Sequence, residues 1–308
     1  MPLPHHRPPD RLLIIAGSAK AGTSALVRWL ALHPDVVSGR IKEPRYFTRF
    51  SNREWKGPGS EGFVKSMITD AADYAANFPN RATGQWAIDA STDYLWCPES
   101  LDLIRHYAQN AEVKVLCIIR DPLERAVSEY NHTIRYEWET RSFAEALDAE
   151  PERIRGAWQP LFYHCRRSTI REDLHRFHDA FKQDLMILDY ADLKQPRVVL
   201  SKLVEFLDFT PFENFEIPKV NQSFLPRNQI IKKMLKSRTI KSLGHSLVSS
   251  QVRKRIWQSL HTNSQDVKTV SQRELEKMYA LLADEIGACI SDPLVPTSSW
   301  RFTGSFAS

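Results

Sequence analysis

LLIIAGSAKAGTSALVRWLALHP, residues 12–34, decides how this chain folds. Leu12 to Ala16 are apolar without alternation, which suits a strand buried on both faces of a parallel sheet. After Gly17 and Gly22 the pattern turns helical. Leu26, Trp29 and Leu30 share one face, and His33-Pro34 ends the helix. The connecting segment Gly17–Ser24 brings two glycines, Lys20, Thr23 and Ser24 to a helix start. Glycine lets the backbone approach a ligand closely, and the first turn of a helix offers unpaired N–H groups to an anion. The segment therefore reads as a phosphate-like anion site. By itself it is also compatible with an ordinary βα turn carrying an exposed lysine.

The register departs from the common nucleoside-triphosphate loop at its most informative position. That loop has lysine after its second glycine, G-x-x-x-x-G-K-[ST]. Here lysine precedes the second glycine, G-x-x-K-x-G-T-S.

Working outward, alternating strands and helices follow. Strands are expected at Trp86–Ala90, Val113–Ile119 and Leu185–Leu188. Helices are expected from about Glu61 to Phe78, over Pro98–Ala108, from Pro122, and from the capping-box spacings Thr169/Glu172 and Ser271/Glu274. Pro196 opens another helix, with Leu200, Leu203, Val204 and Leu207 inside. Asp121 is a suitable N-cap, Pro122 suits the first helical position, and Glu124 stands at capping-box distance. This alternation implies an α/β fold of three layers, a central parallel sheet flanked by helices. Ligands of such sheets lie beyond the carboxyl ends of the strands. Arg120 occupies one such end, and Ser128 follows two turns into the next helix.

The composition, 42% hydrophobic and 26% charged over 308 residues, fits a single large domain, 12–308, behind a disordered tail, 1–11. No apolar run approaches the roughly 20 residues of a membrane span, and no secretory leader pattern is seen, so a cytoplasmic location is expected. Four scattered cysteines without C-x-x-C spacing read as reduced thiols. No His/Cys/carboxylate cluster shows metal spacing, so no metal is expected. The net charge is +5, yet residues 217–265 hold ten Lys or Arg and no Asp or Glu, so the rest is net acidic. The part of this segment over 230–257, with Ile230, Ile231, Met234 and Leu235 among lysines, is a solvated helical face or a peripheral contact for an anionic membrane or acidic glycan. Salt-sensitive sedimentation with liposomes is the check. No nucleic-acid partner is expected.

Three patches together resemble one family. G-x-x-K-x-G-T-[ST] resembles the 5′-phosphosulfate loop of sulfotransferases that use 3′-phosphoadenosine 5′-phosphosulfate (PAPS). R-D-P-x-x-R-A-x-S-x-Y, Arg120 to Tyr130, looks like their 3′-phosphate strand and helix. K-E-P-x-x-F, Lys42 to Phe47, is similar to the segment carrying the catalytic glutamate in the bacterial and heparan-sulfate branch. The resemblance implies a P-loop-like fold, PAPS as sulfuryl donor, and an acceptor hydroxyl on a glycan, a glycolipid or a small alcohol. It implies donor binding by Lys20, Ala21, Gly22, Thr23, Ser24, Ala25, Arg120 and Ser128. It further implies Lys20 as the cation at the leaving oxygen and Glu43 as the base, with Pro44 expected to hold Glu43 extended. His132, four residues after Ser128, is the alternative base. His106 and His164 are expected to be structural or exposed. Asn221–Asn228 looks like a variant of the loop that closes over the nucleotide, with Arg227 as a phosphate ligand. The heparan-type lysine near the acceptor site is missing from Asp89–Leu95. Arg125 is expected to pair with Asp121. Tyr46, Phe47, Trp55, Tyr94 and Trp96 either line an acceptor cleft or pack the core. The rivals are a P-loop nucleotide kinase and a nucleotide-binding protein without catalysis.

Overall fold

The computed structural model describes residues 8–208, 210–211 and 269–301. Five strands form one parallel sheet: β1 Arg11–Gly17, β2 Val36–Ser38, β3 Trp86–Asp89, β4 Glu112–Ile119 and β5 Leu185–Asp189, in the order β2-β3-β1-β4-β5. β1 is central. Leu12, Ile14 and Ala16 enter one core, while Leu13 and Ile15 enter the other. This is the period-2 arrangement of a strand covered on both sides, and it explains the unbroken apolar run.

Helices cover both faces. α1 (Thr23–Leu30) and α8 (Pro196–Leu207) pack Leu26, Trp29, Leu200 and Leu203 on one side. α4 (Ser100–Ala108) and α7 (Arg171–Phe181) pack Ile104, Leu174 and Phe177 on the other. α5 (Pro122–Arg135), α6 (Phe143–Arg155) and α9 (Gln272–Ile290) share a satellite core around Leu123, Tyr130, Phe143 and Met278. Ser271 and Glu274 cap α9 reciprocally, as their spacing predicts. Asp121 caps α5 through the N–H groups of Leu123 and Glu124.

Several expectations are corrected. The single helix from Glu61 to Phe78 is two short ones, α2 (Ser60–Lys65) and α3 (Ala71–Ala76). The Ile68 N–H donates to the Pro44 carbonyl instead of continuing the helix, and Asp70 starts a new one by accepting from Ala72 and Asp73. β2 is an additional strand, too short to carry a pattern. Glu124 does not complete a capping box; its carboxylate pairs with Arg120 at 3.0 Å. Nor does Thr169 cap α7. That helix start is satisfied from a distance, by Glu285 accepting from the Ile170 and Arg171 N–H groups. Arg125 pairs with Glu129, at 3.1 Å, and not with Asp121. From Pro8 on, the stretch expected as a tail is tied down: Tyr107 donates to the Pro9 carbonyl, and Arg81 binds Asp10 and the Pro8 carbonyl.

The basic segment 217–265, with its part 230–257, and Arg227 lie outside the described residues. No helix among the described residues is long and apolar enough to cross a membrane.

Candidate active site

The anion loop is built around Gly22. This residue is the N-cap of α1 with φ 86°, and a Cβ there would collide with Leu193 and Tyr190. Only glycine satisfies both constraints at little cost. No side chain caps α1. Thr23 and Ser24, in its first turn, therefore keep N–H groups without an intrahelical acceptor, aligned with the positive end of the helix dipole. Ala21 and Ala25 are buried behind the loop. Lys20 sits at φ 67°, in the left-handed region that an L-residue enters only when its surroundings enforce it.

The second motif meets the first. β1 and β4 are neighbours, so Arg120 at the end of β4 reaches the loop and donates to the Lys20 carbonyl at 3.2 Å. Its guanidinium lies 4.5 Å over the Tyr190 ring. Ser128 is partly buried on α5, two turns further on.

The third motif closes the site. A cleft of about 230 Å³ is lined by Lys20, Thr23 and Ser24 on one side and by Lys42, Glu43 and Arg45 on another, with His132 of α5 between. Glu43 is not extended as Pro44 suggests; its φ is 60°, and Arg45 has φ 52°. The cause is a tight local clamp. Arg45 donates to the Glu43 carbonyl at 2.9 Å and to its carboxylate at 2.6 Å, while the Arg45 N–H donates to Ser91. Lys42 adds a second ion pair to Glu43 at 2.7 Å.

Electrostatics set the protonation states. Burial pushes the Glu43 carboxyl up, but the cations Lys42, Arg45 and Arg167 outweigh it and hold the pKa at about 2. Glu43 is therefore ionised and only weakly basic. Burial, reinforced by the nearby Lys20 and Arg135 charges, brings His132 down to about 4, so its ring is neutral near pH 7. Burial brings Lys20 down to about 8, with Arg135 and Lys42 acting the same way and Glu129 and Glu43 opposing.

Under the cleft runs a buried chain of alternating charges that sequence reading missed. Glu43 pairs with Arg45, Arg45 with Asp93 at 2.7 Å, Asp93 with Arg167 at 2.9 Å and Arg167 with Glu129 at 2.6 Å. Glu129 also holds Arg125 and His164, each at 3.1 Å. The i, i+4 spacing of Arg125 and Glu129 was the one local signal for it. His164, the third histidine considered, is fully buried in this chain. The aromatics Phe47, Trp55 and Tyr94 are buried in packed clusters, with Tyr46 and Trp96 against them, and none of the five lines the cleft. Among the described residues no group of His, Cys, Asp and Glu is placed to hold a metal ion.

The chain is similar to known proteins over most of its length. A family model described as "Sulfotransferase domain" matches residues 10–259. Human heparan sulfate glucosamine 3-O-sulfotransferase 5 is 34% identical over 121 residues, covering 39% of this chain and 30% of that protein. The bifunctional heparan sulfate N-deacetylase/N-sulfotransferase 1 of Caenorhabditis elegans is 24% identical over 217 residues, covering 66% of this chain and 23% of that protein. The chain thus spans less than a third of the length of these curated relatives. Among solved structures, a sulfotransferase from Alicyclobacillus acidocaldarius superposes with a TM-score of 0.64 at 28% identity, covering 74% of this chain and 90% of that one.

Proposed function

The chain belongs to the sulfotransferase domain family, and from that premise we propose that it is a PAPS-dependent O-sulfotransferase. The observation that carries the reading is the hydrogen bond from Arg120 to the Lys20 carbonyl, which joins the two anion-binding motifs beyond the ends of adjacent strands. One doubly phosphorylated adenosine can engage both. The uncapped start of α1 and the close approach allowed by Gly22 fit a 5′-phosphosulfate. Arg120 and Ser128 are the candidates for its 3′-phosphate.

When bound, PAPS supplies a sulfuryl group on a phosphate leaving group. In the proposed reaction the acceptor hydroxyl oxygen bonds to sulfur, the bond from sulfur to the bridging oxygen breaks, and the hydroxyl proton passes to a base of the cleft. Lys20 stabilises charge on the departing oxygen from a preorganised position. Thr23, Ser24 and the loop N–H groups hold the phosphate. Glu43 is the candidate base as an ionised carboxylate, and neutral His132 in the same cleft is the alternative. The likeness to the Alicyclobacillus acidocaldarius protein supports the bacterial side of the family, and the heparan-sulfate relatives support a carbohydrate or other alcohol as acceptor.

The test is a thermal-shift comparison of adenosine 3′,5′-bisphosphate (PAP) with AMP, ADP and ATP. PAP at about 100 times its Kd stabilises by about 2.7 kcal/mol, against little for AMP. A preference for ATP in the presence of Mg²⁺ would overturn the reading in favour of a kinase or NTPase.

A further inference from the structure

After α9 the chain turns at Asp292 and runs to Arg301 as a strap. Val295 and Trp300 anchor it in the core beneath α4 and α7. Two buried carboxylates at strand ends fix its backbone. The Ser299 hydroxyl donates to Asp189, the last residue of β5, at 2.6 Å. The Arg301 N–H donates to Asp121, two residues beyond β4, at 3.2 Å. The strap therefore crosses the carboxyl ends of β4 and β5, the side on which parallel sheets bind ligands.

This route sets the Arg301 side chain beside Glu124. Its Nε lies 3.8 Å from one oxygen of that carboxylate. The other oxygen accepts from Arg120 twice, at 3.0 and 3.2 Å. Glu124 and Ser128 stand four residues apart on α5 and share a face. Arg301 thus adjoins, through Glu124, the two residues assigned to the 3′-phosphate.

The local charges show what a further cation would do there. Of its five N–H donors Arg120 spends three, two on Glu124 and one on the Lys20 carbonyl. The others can grip a phosphate, but Glu124 already offsets the Arg120 charge and repels an anion. A phosphate monoester carries about −1.5 to −2 charge at neutral pH. Arg301 supplies the missing charge from a fixed backbone, with a side chain 74% exposed on a flexible stem.

We propose that Arg301 is a specificity-determining residue of the donor site, a second guanidinium delivered by the C-terminal strap that recognises the 3′-phosphate. This rests on the sulfotransferase reading and adds to it a residue that belongs to none of the three motifs. Because Arg301 approaches from solvent, its contribution follows charge more than shape and is screened by salt.

The experiment compares the full chain with Arg301→Lys, Arg301→Gln and Arg301→Glu. The side chain is exposed, so all three variants fold, and their melting temperatures without ligand are expected to match that of the unchanged protein. The Kd of PAP is measured by isothermal titration calorimetry at about 0.05 M and about 0.5 M salt. At low salt Arg301→Gln is expected to bind PAP about tenfold more weakly, Arg301→Glu a further threefold or so more weakly, and Arg301→Lys within about threefold of the unchanged protein. High salt narrows the spread. AMP, which lacks only the 3′-phosphate, gives the same thermal shift with all four proteins. The proposal is overturned by Arg301→Gln within about twofold of the unchanged protein, by Arg301→Glu no weaker than Arg301→Gln, by Arg301→Lys no better than Arg301→Gln, or by an AMP shift that moves in step with PAP. If PAP stabilises the unchanged protein while these results appear, only the role of Arg301 fails. If PAP does not stabilise it, the donor reading fails as well.

Discussion

Asp93→Asn removes one charge from the middle of the ion chain beneath the cleft. Asp93 is 1% exposed and accepts three hydrogen bonds, from Arg45 at 2.7 Å, from Arg167 at 2.9 Å and from the Trp96 indole at 3.0 Å. Asparagine keeps one oxygen and turns an NH₂ group toward a guanidinium that can only donate. The buried Arg167 and the partly buried Arg45 then lose a counter-charge. Breaking a buried pair costs about 3–5 kcal/mol. Here Arg45 retains Glu43 and Arg167 retains Glu129, so the lower end, about 3 kcal/mol, is expected. At about 2–4 °C per kcal/mol the melting temperature falls by roughly 6–12 °C. Reversible urea unfolding followed by tryptophan fluorescence measures the loss. A double-mutant cycle with Arg45→Met isolates the pair, and a coupling energy above about 0.5 kcal/mol is expected. A loss below about 1 kcal/mol with no coupling would refute the premise that the chain is held by mutual charge compensation.

Two further expectations concern catalysis. The depressed Lys20 pKa places a falling limb of kcat/KM near pH 8, because the leaving-group cation is lost as pH rises through that value. Lys20→Arg, which stays ionised, should lower activity but move that limb upward, and an unmoved limb would assign it to another group. With Glu43 held at about 2 and His132 at about 4, the profile is flat from about pH 5 to 7 whichever is the base. Gly22→Ala forces φ 86° on an L-residue and drives a methyl group into Leu193 and Tyr190. It should cost roughly 1–3 kcal/mol and abolish PAP stabilisation, whereas Gly84→Ala, at φ 84° but in open space, should cost stability alone.

Much of the fold was readable before any coordinates. Leu12–Ala16 and Val113–Ile119 announce buried strands because both of their faces are apolar, a property of the chain itself. Asp121-Pro122 and Ser271/Glu274 mark helix starts because capping is satisfied within four residues. Where a partner is distant, local reading failed. The α7 start looks like a Thr169/Glu172 capping box, yet Glu285, more than a hundred residues away, supplies the acceptor. The helix expected across 61–78 breaks because the Pro44 carbonyl captures the Ile68 N–H and Asp70 caps a second piece.

The site divides in the same way. Lys20 and Arg120 were named from their places at a helix start and a strand end, Glu43 and His132 from the family resemblance, and β1–β4 adjacency brings Lys20 and Arg120 together while the cleft collects Lys20, Glu43 and His132. Asp93 and Arg167 belong to no motif, since opposite charges far apart in sequence show nothing of their pairing. Residue order alone therefore determined the strands, the anion loop and the family, because these depend on neighbours within a few positions. Tertiary structure alone decided which charges pair, that Glu43 is clamped at positive φ as a weak base, and that Arg301 stands beside Glu124, because Coulomb energy and desolvation depend on distances through space that the linear order of residues does not contain.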